Sequence, residues 1–192
     1  MLAAGSSSRM GFPKQLLKWK NSTLLQHAIH TVKQINQDGI ILVLGAHFDD
    51  ITSQIDTSET TVVYNKNWEK GLGNSIACGM NYIKDSLRHM ESVLILLADQ
   101  PLIHANFLNE MIKTHQKNPN KLICTQYENN KLGVPAIFNK TDFEDLSQLN
   151  HDKGAREILN KQSEHILYLD GTHLISDIDT MEDYETLYKR FH

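Results

Sequence analysis

The sequence predicts an α/β fold, a doubly wound three-layer sandwich around a mixed sheet that is mostly parallel. Three observations predict it. Short apolar runs rich in β-branched residues alternate with amphipathic stretches of helical period. The chain has 192 residues, 40% of them hydrophobic, which is enough to bury one substantial core. No repeat, linker or low-complexity segment divides it, so one domain over residues 1–192 is expected.

The elements follow in order. Met1 to Ala4 reads as a first strand, short for one that feeds a loop of small residues. Leu24, Leu25, Ala28, Ile29, Val32 and Ile35 make one apolar helical face. Gly39 to Leu44, Thr61 to Tyr64, Val93 to Leu97 and Leu122 to Thr125 read as strands. Phe107, Leu108, Met111 and Ile112 mark a second helical face between the last two. Beyond these the order changes: Ala136 to Phe138, Ile166 to Leu169 and Leu174 to Ile178 are strand-like runs around short helices near Thr141 and Gly154. An antiparallel edge strand is expected there. Thr180 with Asp183 three residues later forms a capping box that opens a final helix towards Phe191.

Composition narrows the function classes. Charged residues make up 22% of the chain, scattered in sign, and the net charge of -4 builds no basic surface for nucleic acid or anionic lipid. Cys78 and Cys124 stand far apart without metal spacing, which suits a reducing cytosol. The longest apolar run, Val93 to Ala98, is too short to cross a bilayer. A soluble, cytoplasmic protein with no nucleic-acid or membrane partner is expected. The ten histidines offer no zinc set, and Gly-x-Ser-x-Gly is absent.

Four segments carry chemistry. The first is Ala3-Ala4-Gly5-Ser6-Ser7-Ser8-Arg9-Met10-Gly11-Phe12-Pro13-Lys14, where small residues let backbone N–H groups approach an anion and Arg9 and Lys14 add positive charge. It is neither a Walker loop nor a Gly-x-Gly-x-x-Gly fingerprint, and its composition alone also fits a flexible terminus. The second is the strand ending in Ala98-Asp99-Gln100-Pro101, which sets a carboxylate at the sheet edge where α/β proteins bind ligands. Asp99 reads either as a helix cap or as a hard oxygen ligand for Mg²⁺ beside a triphosphate, and the second suits it better, Gln100 being nearer the cap position. In the third, Asp177 and Asp179 fall two apart on a strand-like run and share a face, either solvated or relieved of repulsion by a shared cation. In the fourth, Gly71, Gly73 and Ser75 precede a helix, as a plain turn and cap also would.

Leu2-Ala3-Ala4-Gly5-x-Ser7-x-Arg9-Met10-Gly11-x-Pro13-Lys14 resembles the opening of the nucleotidyltransferases that make the guanine and cytosine dinucleotide forms of the molybdenum cofactor. The resemblance runs in order to Tyr184 and implies a Rossmann-like fold of the nucleotide-diphospho-sugar transferase type. It implies that Ala3, Ala4, Gly5, Ser6 and Ser7 wrap a nucleoside triphosphate, with Arg9 and Lys14 on its phosphates. Asp99, matching the family's Ala-Asp-x-Pro, would hold Mg²⁺; Asp179, with Asp177 nearby, would be the second ligand source. Gly73 and Ser75 would line the base and ribose pocket, where Asn65 fits the family spacing better than Asn67. Gly133-Val134-Pro135 and Asp152-x-Gly154-Ala155-Arg156 are similar to the cytidylyltransferase branch, which implies Gly133, Pro135, Asp152 and Arg156 around a phosphorylated pterin acceptor. Val134 and His151 depart from that pattern. The resemblance thus implies CTP, Mg²⁺ and a molybdopterin acceptor, with a molybdoenzyme or its chaperone as a partner. Alternatives are GTP, another acceptor such as a sugar phosphate, or a non-catalytic carrier of nucleotide or pterin.

Overall fold

The computed structural model describes residues 1–192 except 152–153, 162–164 and 192. The strands are β1 (Leu2–Ala3), β2 (Lys18–Trp19), β3 (Ser22–Thr23), β4 (Ile41–Leu44), β5 (Thr61–Tyr64), β6 (Ser92–Ile95), β7 (Leu122–Gln126), β8 (Leu132–Asn139) and β9 (Ile166–Asp170). The helices are α1 (Leu24–Lys33), α2 (Phe48–Gln54), α3 (Leu72–Ser86), α4 (Ala105–Lys117), α5 (Phe143–Ser147), α6 (Arg156–Lys161) and α7 (Met181–Phe191).

Two ladders, β1-β4-β5 and β6-β8-β7-β9, join through backbone bonds. The Leu2 N–H donates to Leu96 O at 2.9 Å and the Ala98 N–H donates to Leu2 O at 3.0 Å. The sheet therefore runs β5-β4-β1-β6-β8-β7-β9. β8 pairs antiparallel with β6 and β7, while the other pairings are parallel. The α/β class and the mostly parallel mixed sheet are as expected. The antiparallel strand is not at an edge, however: β8 lies between β6 and β7 and β9 takes the edge.

Helices cover both faces, which is why the inner strands are near-continuously apolar. On one face Ile76, Met80 and Ile83 of α3, Phe143 and Leu146 of α5, and Ile158 and Leu159 of α6 share a core with Val43, Ile95 and Phe138. On the other, Leu25 and Ile29 of α1 and Ile51 of α2 pack on Leu42 and Leu44, and Phe107, Leu108 and Met111 of α4 pack on Ile123 and Ile137. The final helix opens on the predicted box: the Thr180 N–H donates to Asp183 Oδ2 at 2.8 Å and the Asp183 N–H to Thr180 Oγ1 at 3.2 Å. Its Leu187 joins Trp19, Leu24 and Ile178 in a small fourth cluster.

Two local expectations fail for identifiable reasons. Leu174 to Ile178 is not a strand; it is a turn and an extended segment. Ile178 is apolar because it is fully buried beneath α7, not because it pairs in a ladder. The helix that a cap at Asp99 or Gln100 would open does not follow directly either. That chain turns, and α4 begins at Ala105, where His104 Nδ1 accepts the Phe107 N–H at 3.2 Å.

Candidate active site

A cavity of about 310 Å³ opens at the C-terminal edge of β1 and β6, within the size range of small-molecule sites. Its walls include Ala3, Ala4 and Gly5 from the opening loop, Lys14, Trp68, Ser75, and the carboxylates of Asp99, Asp177 and Asp179.

The loop leaves β1 and doubles back on itself. Ser7 takes a left-handed conformation, φ 53°, and Ser7 O accepts the Met10 N–H at 2.8 Å. Gln15 then braces the turn from within: it is 3% exposed, and its Nε2 donates to Ala3 O at 2.8 Å and Gly5 O at 3.0 Å. A Cβ built on Gly5 meets nothing within 4 Å, so this stretch of backbone is open to a ligand.

Lys14 is the centre of the site. Its Nζ donates to Asp99 Oδ2 at 2.6 Å, Ile178 O at 2.9 Å and Asp179 Oδ1 at 3.0 Å. Burial pushes the ammonium pKa down, but Asp99 and Asp179 outweigh it and the net shift is upward. Arg9 stands outside, its guanidinium 3.6 Å from Asp179 Oδ2 and largely exposed. Asp99 caps no helix. One of its oxygens faces Lys14, and the other, Oδ1, is buried without a partner among the described residues.

Asp177 stands apart from this pair. Its Oδ1 accepts from Gln100 Nε2 at 2.8 Å, and burial, with Asp99 alongside, pushes its carboxyl pKa up. The alternation expected of a strand survives in the extended chain: Ile178 points inward and its two neighbours face the cavity. Among the described residues, no three Asp, Glu, His or Cys side chains gather tightly enough to form a metal cluster by themselves.

The remaining predicted residues are distributed around this centre. Ser75 Oγ lies within the cavity wall and accepts from Asn65 Nδ2 at 3.1 Å. Asn65 is 3% exposed, so it, not Asn67, is the buried partner. The Gly73 N–H donates to His151 O at 2.9 Å, tying the start of α3 to the 151 turn rather than lining the cavity. Ser6 and Ser7 shape the loop without forming its wall; Ser6 O lies 3.2 Å from His47 Nε2.

Among the described residues the cavity wall does not include Gly133, Pro135 or Arg156. Gly133 backs the Tyr127 ring, which a Cβ there would strike at 2.5 Å. Pro135 O accepts from the buried Thr125 Oγ1 at 2.7 Å. Arg156 is exposed, with Nε 3.5 Å from Leu132 O. Asp152 lies outside the described residues.

Sequence reasoning missed four residues. Gln15, Gln100 and Tyr127 are polar side chains used internally, and only their burial reveals them. The Tyr127 hydroxyl donates to Val134 O, and burial pushes its pKa up to about 12, with Asp177, Arg156 and Asp99 among the charges it feels. Gly45 follows β4, where a Cβ would come within 2.5 Å of Trp68 Cβ and 2.8 Å of Ala4 O. The Gly ending an apolar run was the one signal for it.

Comparison with known proteins places this chain in a family. Residues 1–166 match the profile of the MobA-like NTP transferase domain. The bifunctional protein GlmU of Francisella tularensis subsp. novicida is 29% identical over 161 residues, covering 82% of this chain and 33% of that protein. The chain thus spans about a third of the length of the curated relatives it matches. Among solved structures, Rv0371c of Mycobacterium tuberculosis H37Rv superposes with a TM-score of 0.81 at 26% identity, over 98% of this chain and 95% of that one. A complex of the same protein with manganese superposes with a TM-score of 0.78 at 25% identity and the same coverage. Molybdopterin-guanine dinucleotide biosynthesis protein A of Archaeoglobus fulgidus shares the fold, with a TM-score of 0.66 at 14% identity over 98% and 95% of the two chains.

Proposed function

Because this chain belongs to the MobA-like NTP transferase family and is a nucleotidyltransferase, we propose that it transfers CMP from CTP to the phosphate of a molybdopterin cofactor, releasing pyrophosphate. The observation that carries this reading is the convergence of Lys14, Asp99 and Asp179 in one cavity with the open backbone of Gly5.

The donor set fits Mg²⁺. Asp99 and Asp179 offer hard oxygens, and the buried Asp99 Oδ1 has no partner among the described residues. When bound there, the ion would neutralise triphosphate charge and polarise the reacting phosphate. Asp177, turned towards Gln100, serves the acceptor side of the cavity better than the ion.

The chain's own residues supply position and charge. Loop amides from Gly5 onward hold the triphosphate, Arg9 meets it from the solvent side, and Lys14 moves from the carboxylates to the phosphates as they arrive. An oxygen of the acceptor phosphate attacks the α-phosphorus in line. The bond to the bridging oxygen breaks, and its electron pair leaves with pyrophosphate. Ser75, held by Asn65, borders the nucleoside. In this reading the acceptor enters past Tyr127, whose ring Gly133 backs and whose hydroxyl feels the charges of Asp177 and Arg156, with Pro135 behind it on β8.

The test is pyrophosphate release with Mg²⁺, molybdopterin cofactor and each common ribonucleoside triphosphate in turn, with Asp99→Asn as control. Release with CTP alone, lost in the control, is the expected result. Release with GTP would move the base assignment, and release only with a sugar phosphate would move the acceptor. Nucleotide binding without release under any condition would overturn the enzymatic reading in favour of a carrier.

A further inference from the structure

The first turn of α3 faces two ways. Leu72 and Ser75, three residues apart and therefore on one side of the helix, line the active-site cavity. The two residues between them hold His151, which lies 77 positions beyond Asn74. The Gly73 N–H donates to His151 O at 2.9 Å, and the His151 N–H donates to Asn74 Oδ1 at 3.1 Å.

His151 sits where such bonds matter. It carries a side chain in left-handed backbone, φ 54°, a conformation that sterics disfavour for residues other than glycine. It is also exposed, so backbone bonds rather than core packing fix the turn. Asn74 is an uneconomical helix residue by propensity, since its side chain competes for backbone groups. Here that side chain caps nothing in α3 and reaches across to the 151 turn.

The contact continues beyond His151. A Cβ built on Gly154 would come within 3.1 Å of Leu72 Cδ2, so the chain leaving the turn passes close against the start of α3. Ala155 is buried in one core with Ile76 of α3 and with Ile158 and Leu159 of α6. Arg156 then opens α6, exposed and near Leu132 O. The Tyr127 hydroxyl feels the charges of both Arg156 and Asp177.

We propose that Asn74 is a positioning residue for the acceptor: through the His151 amide it fixes the turn that presents Arg156, while its neighbours Leu72 and Ser75 border the nucleotide. This rests on the substrate reading above, in which the acceptor enters past Tyr127 and Arg156. One helical turn thereby serves both substrates. Loss of the Asn74 oxygen loosens the acceptor half and leaves the nucleotide half in place, because Ser75 is held separately by Asn65.

The experiment compares the parent chain with Asn74→Ala and with Asn74→Asp, which keeps an accepting oxygen at the same reach. The readouts are amide exchange of the ligand-free proteins at His151, Glu157, Ile158 and Leu159, and the KM values for molybdopterin and CTP in Mg²⁺-dependent pyrophosphate release. Asn74→Ala is expected to exchange about fivefold faster at these amides and to raise the molybdopterin KM by a similar factor, the shift that one hydrogen bond amounts to. Its KM for CTP should stay within about twofold, since one hydrogen bond on the acceptor side is all that is lost. Asn74→Asp is expected to return exchange to the parent rates. Unchanged exchange in Asn74→Ala would overturn the proposal by showing that the turn stands without the amide. A molybdopterin KM that stayed put, or rose together with that for CTP, would overturn it too, leaving Asn74 a structural part of α3. A parent chain inert with molybdopterin would overturn the substrate reading and the acceptor role of Asn74 with it, whereas the other two failures strike Asn74 alone.

Discussion

The Lys14 ammonium lies 2.6 Å from Asp99 Oδ2, on the carboxylate proposed to hold a cation for the triphosphate. One positive charge thus bridges Asp99 Oδ2 and Asp179 Oδ1, and a divalent ion that draws on both carboxylates, beyond the open Asp99 Oδ1, must compete with it. Without nucleotide, the lysine has nowhere better to go. With triphosphate present, it gains a second set of anions.

Lys14→Met therefore has two opposite effects. Removing the ammonium frees both carboxylates, so Mn²⁺ should bind the nucleotide-free variant several-fold more tightly than the parent, read by the loss of the free-ion electron paramagnetic resonance signal. The same change should slow nucleotidyl transfer by about 100-fold or more, the usual effect of losing one charge aimed at a transition-state phosphate. Weaker Mn²⁺ binding by a folded variant would show that the lysine organises the carboxylates instead of competing for them.

Gln15 is the second point of control. Its buried amide satisfies the carbonyls of Ala3 and Gly5, and Gln15→Ala leaves both without that donor. A loss of about 1–3 kcal/mol is expected for orphaned buried groups of this kind. The loop loosens as well, so the KM for nucleotide should rise more than kcat falls. Urea denaturation and steady-state kinetics would separate the two effects. An unchanged KM would mean that the loop keeps its shape without the brace.

The degree to which this molecule was legible in its sequence follows from where its signals are stored. β4, β6 and β7 were readable because inner strands covered on both faces need local runs of apolar residues, and the edge strand β5 was readable from its β-branched run alone. The place of β8 was not, because it depends on pairing with β6 and β7 and no local pattern records a partner. Leu174 to Ile178 misled for a related reason: Ile178 is buried against Trp19 and Leu187, and burial in extended chain looks the same whether or not a ladder forms. In the site, Lys14 meets Asp99 across 85 residues and Asp179 across 165. Only a family resemblance could join residues so far apart. Gln15, Gln100 and Tyr127 carried no such signal, since a polar side chain spent on internal bonds looks like any surface residue.

Gly133→Ala tests the acceptor side. The added methyl would collide with the Tyr127 ring at 2.5–2.8 Å, and the ring is held by its bond to Val134 O and by burial. The ring must move away from residue 133 and carry its hydroxyl with it, so the KM for the acceptor should rise while nucleotide affinity stays within about twofold. Tyr127→Phe keeps the ring and removes only the hydroxyl, and should leave acceptor KM closer to the parent. Should Gly133→Ala weaken nucleotide and acceptor alike, its effect would be a general loss of packing around β8.

Glu144 supplies a pH dependence independent of the active site. Lys84 of α3 donates to its Oε2 at 2.5 Å and Gln148 to its Oε1 at 2.7 Å, and these bonds, Lys84 first, hold its carboxyl below the ordinary glutamate value of 4.5. A depressed pKa in the folded state means that the stabilisation is complete above 4.5 and is lost as pH falls through the folded value. Lys84→Met should therefore melt below the parent at neutral pH by a small amount, since the pair is solvent-exposed and salt-screened. The gap should narrow as the pH falls below 4.5, leaving only what Lys84 gains from its pH-independent bond to Ser147 Oγ. Melting curves of both proteins between pH 7 and pH 3, at low and high salt, measure it. A gap that stayed constant or widened on acidification would mean that Lys84 stabilises the fold through groups other than the ionised Glu144, and the ion pair between α3 and α5 would carry no stability of its own.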